Sequence, residues 1–179
     1  MGTKKLSLGA LNRMTIEDYK DVKKLDYDIV ADNVRSGQNI GSFFRTADSF
    51  GADNIYLAGI CPTPPNKEVL KTALGATESV KWTHFSDNES LIAHLRINQI
   101  KIIVVEQTTQ SVMLHDFIPE VGCKYALVFG NEVDGVSDLF IKNADLCIEI
   151  PQIGTKHSLN VSVCAGIVMW HMYGYLKTI

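Results

Sequence analysis

Residues Tyr125–Trp170 read YALVFGNEVDGVSDLFIKNADLCIEIPQIGTKHSLNVSVCAGIVMW. Two short apolar runs, Tyr125–Phe129 and Leu146–Ile150, have the length and composition of buried strands. Each runs straight into a loop rich in glycine and polar side chains. The first loop is Gly130-Asn131-Glu132-Val133-Asp134-Gly135, and the second runs from Pro151 to Asn160 as PQIGTKHSLN. A small, apolar helix follows. In open α/β sheets, ligands bind outside the carboxyl ends of the strands. Two such ends, close in sequence and carrying Gly, Asn, Glu and Ser, predict a site.

Upstream, the pattern alternates between strand and helix. Asp28–Val34 reads as a first buried strand, Ile40–Phe50 as an amphipathic helix and Asn54–Ala58 as a second strand. The proline-rich Cys61–Asn66 loop cannot pair as a strand. A short helix is expected over Lys67–Leu74, an edge strand over Ser79–Thr83 and a helix over Asn88–Asn98. Ile100–Val105 is a nearly continuous apolar run, as in a strand buried on both faces. This alternation predicts an α/β fold with a mostly parallel sheet flanked by helices. Thr15-Ile16-Glu17-Asp18 has the form of a capping box, so a helix of about Ile16–Lys24 is expected in an N-terminal arm of residues 1–26. Lysines and Arg13 make that arm locally basic, either as a solvated surface or as a contact for RNA.

The chain has 179 residues, 46% of them hydrophobic and 21% charged, which suits one globular domain without staples. Cys61, Cys123, Cys147 and Cys164 form no C-x-x-C pair, so neither the usual zinc spacings nor a disulfide framework is present. No metal is implied. Reduced thiols and the absence of an apolar leader segment point to the cytoplasm. Val161–Met172 is too short and too interrupted to span a bilayer. The net charge of −3 counts mildly against nucleic-acid binding, although local basic patches can still provide it. A dinucleotide-dependent oxidoreductase would need G-x-G-x-x-G after the first strand, and Asn33–Gln38 lacks that spacing.

GNEVDG followed by IPQIGTKHSLNVSV resembles the second and third motifs of the SpoU/TrmH group of RNA 2'-O-ribose methyltransferases, in the SPOUT superfamily. Asn39-Ile40-Gly41-Ser42-Phe43-Phe44-Arg45-Thr46-Ala47 resembles the first motif. Three motifs in order, from Asn33 onward, form a specific signal. The resemblance implies a methyltransferase domain over residues 27–179, a C-terminal trefoil knot, S-adenosylmethionine as methyl donor, RNA as substrate and a homodimer with each site built across the interface. Met169, Trp170, Met172 and Tyr173 of the last helix would serve that interface or face the core. Glu106-Gln107-Thr108 and Ile150-Pro151-Gln152 look like members acting on tRNA, and the chain lacks the separate RNA-binding domain of several rRNA-directed members. Transfer RNA is therefore the expected substrate, with rRNA as the alternative. A third reading is the same fold kept as a binding module without catalysis.

The family match also implies roles for residues. Glu106, Gln107, Gly130, Ile150 and Leu159 would hold the donor: Gly130 by letting backbone approach closely, Ile150 and Leu159 as apolar walls. Arg45 matches the catalytic arginine. Because guanidinium stays charged, a clamp on phosphate or ribose that stabilises developing alkoxide charge is preferred to a base. Asn39 would support that arginine, and Asn33 is a weaker candidate of the same kind. Glu132 would accept a proton, or hold Arg45 or Asn160 in place. Ser158 reads as a catalytic residue or a helix N-cap, and Asn160, one step inside the helix, as a substrate-side hydrogen bonder. Arg35, Lys156 and His157 would line the RNA side, with Lys67 and Lys71 as further phosphate contacts or plain solvated surface.

Overall fold

The computed structural model describes residues 2–7 and 9–177. Met1 and Leu8 of the expected arm, and Thr178 and Ile179 of the expected catalytic domain, lie outside them. Seven strands form one sheet in the order β3-β2-β1-β6-β4-β7-β5, and every neighbouring pair is parallel. The strands are β1 (Tyr27–Asp32), β2 (Asn54–Ala58), β3 (Lys81–Phe85), β4 (Lys101–Val105), β5 (Val112–Met113), β6 (Tyr125–Phe129) and β7 (Leu146–Glu149). β1 and β6 are buried at every position, as strands with helices on both sides should be, and in β1 that burial includes Asp28 and Asp32. Their register sets Ile29 beside Ile55 on one flank and Leu127 on the other.

Helices cover the two faces. One face packs against α2 (Gly37–Phe50), α3 (Lys67–Ala73) and α7 (Val161–Leu176), through Phe43, Phe44, Val69, Val168 and Met172. The other packs against α5 (Asn88–Ile97) and α6 (Asp138–Lys142), through Leu91, Leu95 and Phe140. After β6 the chain crosses to the far side of β4 to form β7, and α7 then returns to lie against α2. No described helix is long and apolar enough to cross a membrane.

Several boundaries differ from expectation, each for a local reason. Helix α1 (Ile16–Asp21) starts at the Thr15 cap, whose hydroxyl accepts from the Asp18 N–H at 3.1 Å. It stops three residues short of Lys24, because the Lys24 ammonium bonds the Tyr19 and Val22 carbonyls that end the helix. Strand β1 ends at Asp32 rather than Val34, since Asn33 turns into the left-handed region at φ 54. Its side chain donates to Asp32 and accepts from the Ile60 N–H, so Asn33 shapes this turn. Helix α2 begins at Gly37, not Ile40, because Ser36 caps it. A separate short α4 (Ala76–Ser79) moves the edge strand to Lys81–Phe85. Strand β5 and helix α6, two and five residues long, are too short for periodicity to reveal. On α7, Met169 and Met172 are fully buried while Trp170 is 58% exposed, so the expected apolar patch divides between core and surface.

At the amino end of the sheet, Asp28 is fully buried. The Lys124 ammonium lies 3.2 Å from its Oδ1, and among the described residues neither carboxylate oxygen receives a hydrogen bond of good geometry. Burial pushes the Asp28 carboxyl up to about 7 against the pull of Lys124.

Candidate active site

The loops after β4, β6 and β7 converge on a cavity of about 510 Å³. Glu106 and Gln107 come from the first, Gly130–Gly135 from the second, and Ile150, Gln152 and Ser158–Asn160 from the third. Val105, Phe129, Ile150 and Leu159 give it apolar walls, while loop backbone supplies polar groups. This is the size and character of a small-molecule site. All five residues expected to hold the donor line it, as do Glu132, Ser158 and Asn160.

The β6 loop is a closed, rigid turn. Asn131 and Gly135 exchange backbone hydrogen bonds at 3.1 and 3.2 Å, and the Asn131 side chain accepts from the N–H groups of Val133 and Asp134, both at 2.8 Å. A Cβ at Gly130 would fall inside the backbone of Gly135 and Val136. The loop's own closure therefore already demands glycine here. The Glu106 carboxylate pins two backbones together, accepting from Gln107 N at 2.9 Å and from Val136 N at 3.1 Å. Gln107 in turn donates to the His157 carbonyl at 3.0 Å, tying the first loop to the third.

A second network joins the loops to the helices. Glu132 accepts from the N–H groups of Arg35 and Ser36 at 3.2 and 3.3 Å and from the Asn39 amide at 2.7 Å. The Asn39 Oδ1 accepts from Asn160 Nδ2 at 3.3 Å. Burial raises the Glu132 carboxyl, but the Asn39 amide and the backbone N–H groups outweigh it and hold it below its ordinary range. Glu132 touches neither Arg45 nor Asn160 directly. It anchors Asn39 and the start of α2. Asn160 is the N-cap of α7, its Oδ1 accepting from Ser162 N at 2.9 Å and Val163 N at 3.4 Å. The cap is thus Asn160 rather than Ser158, which explains an asparagine at a position otherwise poor for helix.

The remaining expected residues lie apart from the cavity. Arg45 stands exposed on the outer face of α2, and among the described residues its guanidinium has no partner. Arg35 pairs loosely with Asp134 at 3.8 Å. Lys156 and His157 are exposed on the third loop, and Lys67 and Lys71 on α3. Asn131 and Cys164, which also line the cavity, escaped the sequence reading. Asn131 was findable as a polar turn residue directly after a strand. Cys164 lies one helical turn after Asn160, a relation visible only once the cap is known. Burial, then the Glu106 charge, pushes the Cys164 thiol up to about 12, so it is unreactive near neutrality.

The family model described as the SpoU rRNA Methylase family matches residues 26–170. The chain belongs to that family. With membership come the α/β fold and, by family, its C-terminal knot. The chain is 31% identical over 141 residues to the 23S rRNA (guanosine-2'-O-)-methyltransferase RlmB of Neisseria meningitidis, covering 79% of this chain but only 55% of that relative. It therefore spans about half the length of this relative. The AdoMet-bound rRNA methyltransferase from Sinorhizobium meliloti superposes with a TM-score of 0.80 at 25% identity, covering 88% of this chain and 60% of that one. The A. aeolicus TrmH/SpoU tRNA modifying enzyme shares the fold, with a TM-score of 0.77 at 23% identity over 91% of this chain and 81% of its own.

Proposed function

We propose that this SpoU-family chain is an S-adenosylmethionine-dependent methyltransferase acting on a ribose 2'-hydroxyl of RNA. The observation that carries the reading is the convergence of three strand-end loops on one cavity of about 510 Å³, with the Glu132–Asn39–Asn160 network at its rim. The cavity suits the donor: apolar walls for an adenine, loop backbone for its edge, and room for the ribose and methionine ends. When bound, S-adenosylmethionine supplies an electrophilic methyl group on a sulfonium.

The protein's own tasks are to align a hydroxyl with that methyl and to manage the charge that develops on the oxygen. Arg45 clamps phosphate or ribose and stabilises the oxyanion. Glu132 is a poor proton acceptor, since three donors already occupy it and hold its carboxyl low. Its work is to fix Asn39, and through Asn39 the cap of α7. Because Arg45 does not line the cavity of its own chain, the proposal includes a homodimer in which Arg45 reaches the partner's cavity. Exposed Trp170, and an apolar recess of about 400 Å³ beside it between Leu114, Pro151 and Ile167, support that assembly. The proposal keeps residues 1–26 as an RNA-contacting arm and the rest as the catalytic domain.

Transfer RNA is the substrate favoured by Glu106-Gln107-Thr108 and Ile150-Pro151-Gln152. Identity to an rRNA enzyme supports the second reading, rRNA. Transfer of labelled methyl from S-adenosylmethionine to purified tRNA and to rRNA, with the nucleoside identified after digestion, tests both. Label in a 2'-O-methyl nucleoside of tRNA is expected. Label only in rRNA keeps the chemistry and replaces the substrate. Label only on a base overturns the reaction.

A further inference from the structure

Asp32 is the last residue of β1, next to the central strand β6, and is 1% exposed. It does not line the cavity. Its Oδ2 accepts from the Ser137 N–H at 2.7 Å, and its Oδ1 accepts from the amides of Asn33 and Asn88, both at 2.8 Å. The Asn88 amide also donates to the Ser137 hydroxyl at 3.0 Å. Ser137 is the residue at which the β6 loop ends and α6 begins. Its neighbour Val136 has its own N–H held by the Glu106 carboxylate. Two successive backbone N–H groups at the end of the Gly130–Val136 loop are thus held by two carboxylates, one from the end of β4 and one from the end of β1.

This arrangement is costly unless every bond is made, because a buried carboxylate without donors is strongly unfavourable. It fixes the exit of a loop whose entry is already fixed by strand β6. Between those two points the loop forms one cavity wall and presents Glu132 to Asn39. We infer that Asp32 is a positioning residue for the methyl-donor cavity, acting through the Ser137 N–H on the Gly130–Val136 loop. The inference rests on the donor-binding function proposed above.

An amide at this position keeps the shape but replaces an acceptor with a donor facing the Asn33 and Asn88 amides, or else facing the Ser137 N–H. Titration calorimetry with S-adenosylmethionine on the full chain should show Asp32→Asn binding about 10-fold more weakly, the scale of one lost charge-assisted hydrogen bond. The exchange variant Asp32→Asn with Asn88→Asp returns the carboxylate to the same cluster: the new amide donates to residue 88 while its oxygen accepts the Ser137 N–H, and only the Asn33 amide loses its acceptor. This double variant keeps the Ser137 bond, so it should recover donor affinity and part of the melting temperature, and it keeps the test open if the single variant does not fold. A folded single variant with wild-type affinity overturns the inference. So does a double variant that regains thermal stability without regaining affinity, which would make Asp32 structural only. Failure of the wild-type chain to bind S-adenosylmethionine would instead overturn the proposed function, and this inference with it.

Discussion

Arg45 carries the proposed chemistry, yet it stands outside the cavity of its own chain and contributes nothing to that cavity's wall. Arg45→Ala should therefore abolish methyl transfer while S-adenosylmethionine affinity, read by calorimetry, stays within a few-fold of wild type. Loss of both together would make the arginine structural. At the opposite end of the sheet, Asp28 makes a prediction about pH. Its folded carboxyl titrates at about 7, above the ordinary carboxylate range. The folded chain therefore holds this proton more tightly than the unfolded chain does. The stability it contributes is complete below the ordinary range and is lost as pH rises through about 7. Asp28→Asn removes that loss, so urea midpoints of the variant should gain on wild type between about pH 4 and about pH 7 and level off above. Parallel curves would refute the assignment.

Helix α2 meets α3 so closely that Gly41 has no room for a side chain. A Cβ there would lie 2.5 Å from the Val69 carbonyl oxygen and 2.7 Å from the Thr72 Cβ. Gly41→Ala should cost about 1–3 kcal/mol, the usual cost of overpacking, and would show as a lowered urea midpoint with unchanged slope. The same contact explains why the first motif carries glycine two residues after Asn39: it seats the helix whose N-terminus receives Glu132. Helices such as α2 and α5 were legible from hydrophobic spacing and β6 from its unbroken apolar run, and their cores agree with it. Asp32, Glu106 and Glu132 were not legible in their working roles. Their partners lie 105, 30 and 93 residues away, and no local pattern marks a carboxylate that will meet a distant backbone N–H.

Across the whole molecule, α7 is apolar on nearly every side, yet only part of it faces the core. A helix apolar all round needs cover on its remaining face. Trp170→Glu should convert a dimer into a monomer by light scattering at micromolar concentration and abolish methyl transfer, while the monomer keeps its cavity. A wild-type chain that is monomeric under those conditions would overturn the two-chain site.

Spacing and composition alone were enough for the parallel α/β architecture and the loops that form the site, while the motif resemblance pointed to five residues that line the cavity. They suffice because strands announce themselves by apolar runs and because sites in such sheets gather at strand carboxyl ends. The tertiary structure decided which residues hold which. It made Asn160 a cap, set Glu132 against Asn39 and the start of α2, closed the loop tightly at Gly130, and brought Asp32 to Ser137. Those outcomes depend on crossovers that set distant strand ends side by side, and hydrogen bonds across them exist only once the sheet has assembled.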